Sequence, residues 1–179
     1  MTVEDKIAES YYNLDKIRHL SMMAKEFQFE LSNYLNSAQS IFYHLLEDYN
    51  QKFCLGLTGN YRDDHFKENA KVSGDKKAYE FFCWYKDELN KITQNKEYGF
   101  LITKRHLNVH KKNVMPKKFK IGDYTPREIT AGEKIIIPLN FTNVEVYFDE
   151  NPDENLRLVC VKFLTRIDKM VKDAHLQFP

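Results

Sequence analysis

Apolar side chains recur every three or four residues along most of this chain, which is the spacing of a helix that buries one face. The longest run extends from about Ser21 to Lys52. It carries Phe27, Leu31, Tyr34, Ala38, Phe42, Leu45 and Tyr49. A stripe of this length needs other helices to cover it, and at this spacing its aromatic residues belong to a core. The sequence therefore predicts a mainly α-helical protein, an up-and-down bundle of about four to five helices.

Other stretches show the same spacing. A first helix is predicted from Thr2 to about Leu20, antiparallel to the long one, and another over 76–95. Asn95 predicts a break, after which helical turns resume. A last helix is predicted from Asn151 to near Leu176, because Asn-Pro-Asp-Glu places a cap, a proline and an acid where helix starts favour them. These helices complete the bundle.

Two other regions lack helical spacing. Residues 56–75 are polar and punctuated by Gly, Asn and Ser, which predicts a surface loop. Its Asp63, Asp64 and His65 are adjacent and point in different directions, so a metal site is not predicted there. Short runs rich in Ile, Val, Phe and Tyr predict three antiparallel strands, inserted at about residues 117–150. The predicted strands are Phe119 to Tyr124, Lys134 to Leu139 and Val144 to Phe148.

Length and composition favour one domain spanning residues 1–179. The aromatic fraction is 14%, and Gly and Pro are scarce, which indicates a packed protein. Cys54, Cys83 and Cys160 form no CxxC pair and are interpreted as reduced thiols. The sequence has no signal-peptide pattern and no apolar run of membrane-spanning length. We therefore expect a cytoplasmic location and no membrane partner.

The positive charge of the chain is local. Residues 98–122 contain seven Lys or Arg and no Asp or Glu, whereas the remainder has 20 basic and 26 acidic residues, a net charge of −6. A basic segment on an otherwise acidic protein suits binding of a polyanion at one place, although such a segment can also be only a solvated lysine-rich loop.

Within this basic segment, residues 105–110 read Arg-His-Leu-Asn-Val-His. Arg binds phosphate oxygens as a permanently charged fork, and His transfers protons near neutral pH. On a straight helix Arg105 and His110 would lie about 140° apart, so convergence requires a loosened helix, a wrapping arginine or a second copy of the chain. His106 and His110 share one face and could bind zinc, but no third ligand is placed by a motif.

The pattern of Arg, a polar residue, three residues and His resembles that of the HEPN superfamily. The resemblance covers residues 105–110 and implies a helical bundle that dimerises with both motifs in one cleft, often as a metal-independent RNase. It gives His110 the proton-transfer role, Arg105 the stabilisation of phosphate charge and His106 an orienting role. Asn108, in the spacer, is a weaker auxiliary candidate. The RNA backbone would be bound by Lys104, Lys111, Lys112, Lys117 and Lys118.

Two functions from different classes follow from these residues. The first is an endoribonuclease that works as a homodimer without cofactor or metal. The second is a non-catalytic HEPN-like module that binds RNA or a protein through its basic face, with Arg105 paired to a carboxylate and His110 only packing. A separate, antitoxin-like protein partner is compatible with both, since the chain shows no second domain that could serve that role.

Overall fold

The computed structural model describes residues 1–20, 25–59, 63–103, 118–121, 144–148 and 150–179. The long helices of the described residues are α1 (Val3–His19), α2 (Lys25–Lys52), α3 (Asp63–Val72), α4 (Lys76–Thr93) and α5 (Leu156–Gln177). The strands are β1 (Lys118–Ile121), β2 (Val144–Phe148) and β3 (Asn151–Asn155). The predicted mainly helical fold is confirmed.

Contacts along the helices give their relative directions. The N–H of Val3 donates to Asp48 at 3.1 Å, and Lys16 pairs with Glu30 at 3.3 Å, so α1 and α2 are antiparallel as predicted. The hydroxyl of Tyr34 donates to the Cys160 carbonyl at 2.6 Å, near the start of α5. The hydroxyl of Tyr49 donates to the carbonyl of Phe178, just past the end of α5, at 3.1 Å. Helices α2 and α5 are therefore parallel.

Helix α4 is antiparallel to both α2 and α5. The ring of Phe81 stacks on that of Tyr49 with centroids 3.9 Å apart, whereas Tyr85, one turn later, donates to the carbonyl of Phe42. The carboxylate of Glu88 meets Arg166 of α5. Helices α1, α2, α4 and α5 thus alternate in direction, which is the up-and-down arrangement. No helix in the described part of the chain is long and apolar enough to cross a membrane.

The predicted apolar stripes form the core. All seven apolar residues named above for α2 are buried, and so are the six that repeat along α5. The α5 set is Leu156, Cys160, Phe163, Ile167, Met170 and Ala174. Burying one such side chain stabilises the fold by roughly 1.5–3 kcal/mol before chain entropy is counted. The interpretation of the aromatic stripe as core is confirmed.

The prediction of a loop over residues 56–75 was wrong, because it contains α3. Asp63 and Asp64 lie in the first turn, where acids complement the helix dipole. Phe66 and Ala70, four residues apart, are buried, and Phe66 packs on the rings of Phe81 and Phe82 of α4. Two buried apolar residues in ten gave too weak a periodicity, and tertiary packing on α4 stabilises this helix.

Helix starts were predicted with mixed success. Thr2 caps α1 through a hydrogen bond from the Asp5 N–H to its hydroxyl at 3.3 Å, as expected. The predicted start of the last helix at Asn151 was wrong. Residues 151–155 form β3, and the helix begins at Leu156 with Asn155 as its cap. Among the described strands β3 lies at the end of the sheet order, where a proline is tolerated.

The sheet has the order β1-β2-β3, and both pairings are antiparallel. Lys118 pairs with Tyr147 and Ile121 with Val144. Strand β2 has the predicted bounds, and β1 overlaps the predicted strand Phe119 to Tyr124 in part. The pairing of β2 with β3 is irregular between Tyr147 and Phe148. The third predicted strand, residues 134–139, lies outside the described residues.

Candidate nucleic-acid site and the segment that leads into it

Most of the predicted site residues lie outside the described residues. These are Lys104, Arg105, His106, Asn108, His110, Lys111, Lys112 and Lys117. Lys118 is described through its backbone, which begins β1. Residues 94–103, which lead directly into the motif and are called the approach segment below, are described in full.

The approach segment leaves α4 and turns back into helix. Gln94 is the C-cap of α4, and the chain is helical again over residues 100–103, as the break predicted at Asn95 required. Gly99 packs against the end of α4: an added Cβ would lie 2.2 Å from the Thr93 carbonyl oxygen and 2.6 Å from that of Asn95. Only glycine permits this close approach of two backbones.

A buried glutamine of α2 holds the last described turn before the motif. The side-chain N–H groups of Gln39 donate to the carbonyls of Leu101, at 2.7 Å, and Ile102, at 3.2 Å. Gln39 is 5% exposed, and Leu101 is fully buried. The approach segment is therefore fixed to α2 through both its backbone and its side chains.

Helix α5 and strand β3 hold the other side of the approach segment. Lys162 bridges Glu97 at 2.9 Å and Glu154 at 2.5 Å, and the hydrogen bonds that it donates to the carboxylates of Glu154 and Glu97 raise its pKa. The amide of Asn151 donates to the Glu97 carbonyl at 3.1 Å. Tyr98 is 9% exposed, and burial raises its pKa. The segment is thus tied to two helices and a strand.

A partly buried ion pair lies beside this segment, between α4 and α5. Glu88 is 8% exposed and accepts from Arg166 and, at 2.6 Å, from Lys91. Burial alone would raise the pKa of Glu88, but the hydrogen bonds from Lys91 and Arg166 outweigh it and lower the pKa. Glu88 is therefore charged at neutral pH.

Described residues on both sides of the motif are joined to the same part of the fold. On one side, Glu97 is bonded to Asn151 of β3. On the other, Lys118 opens β1, which is separated from β3 only by β2. Adjacent strands lie about 4.8 Å apart, so β1 is roughly 10 Å from β3. Described residues before and after the motif, Glu97 and Lys118, therefore both lie near β3, which leads into α5.

A polar groove of about 440 Å³ lies between α1 and α2. It is lined by Lys6, Glu9, Asn13, Asn33, Asn36, Ser37 and Ser40. Lys6 pairs with Glu9 at 2.6 Å, and Asn13 donates to Ser37 at 3.1 Å. The side chains that line this groove can form hydrogen bonds, but they include neither a histidine nor an arginine. The groove therefore does not replace the motif as a candidate site for phosphate chemistry.

Sequence reasoning did not identify Gln39 or Gly99. Gln39 lies four residues after Leu35 and three before Phe42, so it occupies a core position of α2, and a polar residue at such a position was the available signal.

In the described part of the chain no three His, Cys, Asp or Glu side chains come together to hold a metal ion. No family model, curated protein or solved structure matches this chain.

Proposed function

We propose that this chain is a HEPN-like, metal-independent endoribonuclease that acts as a homodimer. One observation carries the proposal: Arg105 begins the Arg-polar-x3-His pattern two residues after a helical turn in which Leu101 is buried and accepts a hydrogen bond from Gln39 of α2. Catalytic groups require rigid support, and the approach segment supplies it. A solvated lysine-rich loop would not need a buried glutamine at its entrance.

The proposed chemistry needs only the motif and the RNA. His110 accepts the proton of a ribose 2'-hydroxyl, whose oxygen attacks the adjacent phosphorus while the bond from phosphorus to the 5'-oxygen breaks. The leaving oxygen gains a proton from a protonated histidine of the partner copy or from water. Arg105 stabilises the charge that builds on the phosphate oxygens. The products are a 2',3'-cyclic phosphate and a 5'-hydroxyl.

Two copies of the chain are part of this proposal. Because Arg105 and His110 would lie about 140° apart on a regular helix, a symmetric dimer can pair Arg105 of one copy with His110 of the other. The neighbouring lysines would bind the RNA backbone without sequence preference, so affinity should fall steeply as salt rises. Such a protein would work in the cytoplasm, where its three thiols stay reduced.

Cleavage is tested with a labelled single-stranded RNA in EDTA. The wild type is expected to cut it and to leave a cyclic phosphate, and Arg105→Ala and His110→Ala are expected to abolish cutting. The matched controls are Arg18→Ala and His19→Ala, an adjacent Arg-His pair at the end of α1. Cutting that survives either motif substitution would overturn the mechanism. Salt-sensitive binding without cutting would favour the non-catalytic module.

Subunit mixing tests the shared site. Equal amounts of Arg105→Ala and His110→Ala protein are mixed after confirmation by sedimentation that each is a dimer. If each site draws one residue from each copy, half of the dimers are mixed and carry one intact site, so about a quarter of wild-type activity returns. Recovery of no activity from exchanging dimers would show that each copy holds a complete site.

A further inference from the structure

The polar groove between α1 and α2 presents hydrogen-bond acceptors on its α2 side. Ser37 and Ser40 each donate their only proton to a carbonyl of α2, that of Tyr34 at 3.0 Å and that of Ser37 at 2.7 Å. A hydroxyl oxygen that has donated its proton can still accept hydrogen bonds. Asn36 and Ser40 are four residues apart, so they lie on the same face of the helix. This face therefore offers several oxygen atoms to a ligand.

The nitrogen atoms that line the groove are mostly in use. Four of the lining side chains carry nitrogen, and three of them already donate to an oxygen of the protein, namely Lys6, Asn13 and Asn33. Their hydrogen bonds are 2.6 to 3.3 Å long. A ligand rich in acceptors would compete with these bonds, whereas a ligand rich in donors meets oxygens with remaining lone pairs. The groove therefore favours a ligand that donates.

One oxygen of the lining has no donor within the described part of the chain. The Oδ1 of Asn36 is buried and accepts no hydrogen bond there. Such an acceptor is unfavourable, because it has lost water without gaining a partner. Asn36 lines the groove, and the broad rotation about its last side-chain bond can turn Oδ1 towards a ligand. An N–H group brought into the groove would satisfy it.

A primary ammonium is the group that matches this pattern. It carries three N–H donors and no acceptor, and it stays charged at neutral pH as a lysine side chain does. Lys6 shows that an ammonium fits at this place, because its side chain is 17% exposed and donates to Glu9. A carboxylate has about four lone-pair sites, so Glu9 can accept from a second ammonium while it keeps Lys6.

We infer that this groove is a binding site for a small aliphatic primary amine in its charged form, with Glu9, Asn36 and Ser40 as acceptors. Its volume of about 440 Å³ lies in the range of roughly 300–1,000 Å³ that small-molecule sites occupy. The site uses no residue of the Arg-His motif. It therefore goes beyond the proposed ribonuclease, and its test is separate from the test of RNA cutting.

Binding is tested by calorimetry with n-butylamine at neutral pH and constant ionic strength, on the wild-type chain without RNA. The matched ligand is n-butyltrimethylammonium, which keeps the charge and the alkyl chain but has no N–H. We expect one n-butylamine per chain and binding of the trimethyl compound at least about 10-fold weaker, because its hydrogen bonds are lost. Equal affinity for the two ligands, or no binding of n-butylamine, would overturn the inference.

Two variants of Asn36 locate the site. Asn36→Leu removes the acceptor at similar size and should weaken n-butylamine binding by about 10-fold. Asn36→Asp places a negative charge on the same group and should strengthen binding by about 10-fold. The control is Asn69→Asp, which adds the same charge at another partly exposed asparagine, on α3 and outside the groove lining. It should change the affinity by less than about two-fold, because salt screens distant charges.

Folding of each variant is confirmed by circular dichroism. If Asn36→Leu does not fold, Ser40→Ala replaces it, since it removes another of the proposed acceptors and should also weaken binding by about 10-fold. Unchanged affinity in the variant that lacks an acceptor would show that the amine binds elsewhere. Equal strengthening in Asn36→Asp and Asn69→Asp would show a general effect of charge. Either result would refute the site, whether or not the chain cuts RNA.

Discussion

The ion pair between α4 and α5 gives a prediction that depends on which partner is removed. Glu88 accepts hydrogen bonds from two cations, Arg166 and Lys91. Among the described residues, Arg166 contacts one carboxylate, that of Glu88. Arg166 also has a buried Nη1 without a partner in the described part of the chain. Removing the carboxylate therefore leaves a cation poorly compensated, whereas removing Arg166 leaves Glu88 paired with Lys91.

The expected costs follow from this asymmetry. Loss of one member of a buried pair costs about 3–5 kcal/mol, and the 22% exposure of the Arg166 side chain reduces this to about 2–3 kcal/mol for Glu88→Gln. Arg166→Met should cost about 1–2 kcal/mol, because Lys91 still compensates Glu88. The exposed pair of Lys76 and Glu80 is the control, and Glu80→Gln should change the free energy of unfolding little.

The measurement is urea unfolding followed by circular dichroism at several pH values. The folded-state pKa of Glu88 lies below the ordinary value of 4.5, so its charged form stabilises the fold above about pH 4.5. That contribution is lost as pH falls through the lowered pKa. The difference between wild type and Glu88→Gln should therefore be largest near neutral pH and shrink in acid. A larger cost for Arg166→Met than for Glu88→Gln would refute the asymmetry.

Three further predictions concern the framework around the approach segment. Gly99→Ala should destabilise the protein by about 2 kcal/mol or more, because its Cβ would overlap the Thr93 carbonyl, and a lower Tm than that of a conservative surface variant would show this. Tyr34→Phe should cost about 1 kcal/mol by urea unfolding through loss of the bond to Cys160, and an unchanged midpoint would contradict it. Thr2→Ala should cost about 1 kcal/mol through loss of the α1 cap, whereas Thr2→Ser should retain most of it.

Much of the helical framework could be predicted because it depends on local periodicity. The stripes along α2 and α5 extend over about five to six turns, so their spacing identifies both the helices and their buried faces. Helix α3 was missed because only Phe66 and Ala70 mark its buried face and the rings that cover Phe66 belong to α4. The start of α5 was misplaced because Asn151 and Asn155 are both good caps, and pairing with β2 selects the second.

The candidate site could be predicted only in its chemistry. A histidine and an arginine five positions apart are visible in the sequence, as is the basic segment around them. The approach segment before the motif is held by contacts between residues that are distant in sequence. Gln39 and Leu101 are 62 positions apart, and Lys162 and Glu97 are 65 apart, and no local pattern reports such pairs. Only the placement of a glutamine at a core position hinted at one of them.

The side-chain contacts to the approach segment bear on how the proposed enzyme would work. Gln39, Lys162 and Asn151 all act on residues 97–102, immediately before the motif, and they come from three different elements of the fold. A segment that only needed to display lysines to a polyanion would gain little from this, because phosphate contacts tolerate mobile side chains. Proton transfer and stabilisation of a transition state do not tolerate such mobility. These contacts at residues 97–102 therefore support the catalytic proposal over the binding module, and RNA cutting in EDTA that is lost in Arg105→Ala is the result that would distinguish the two.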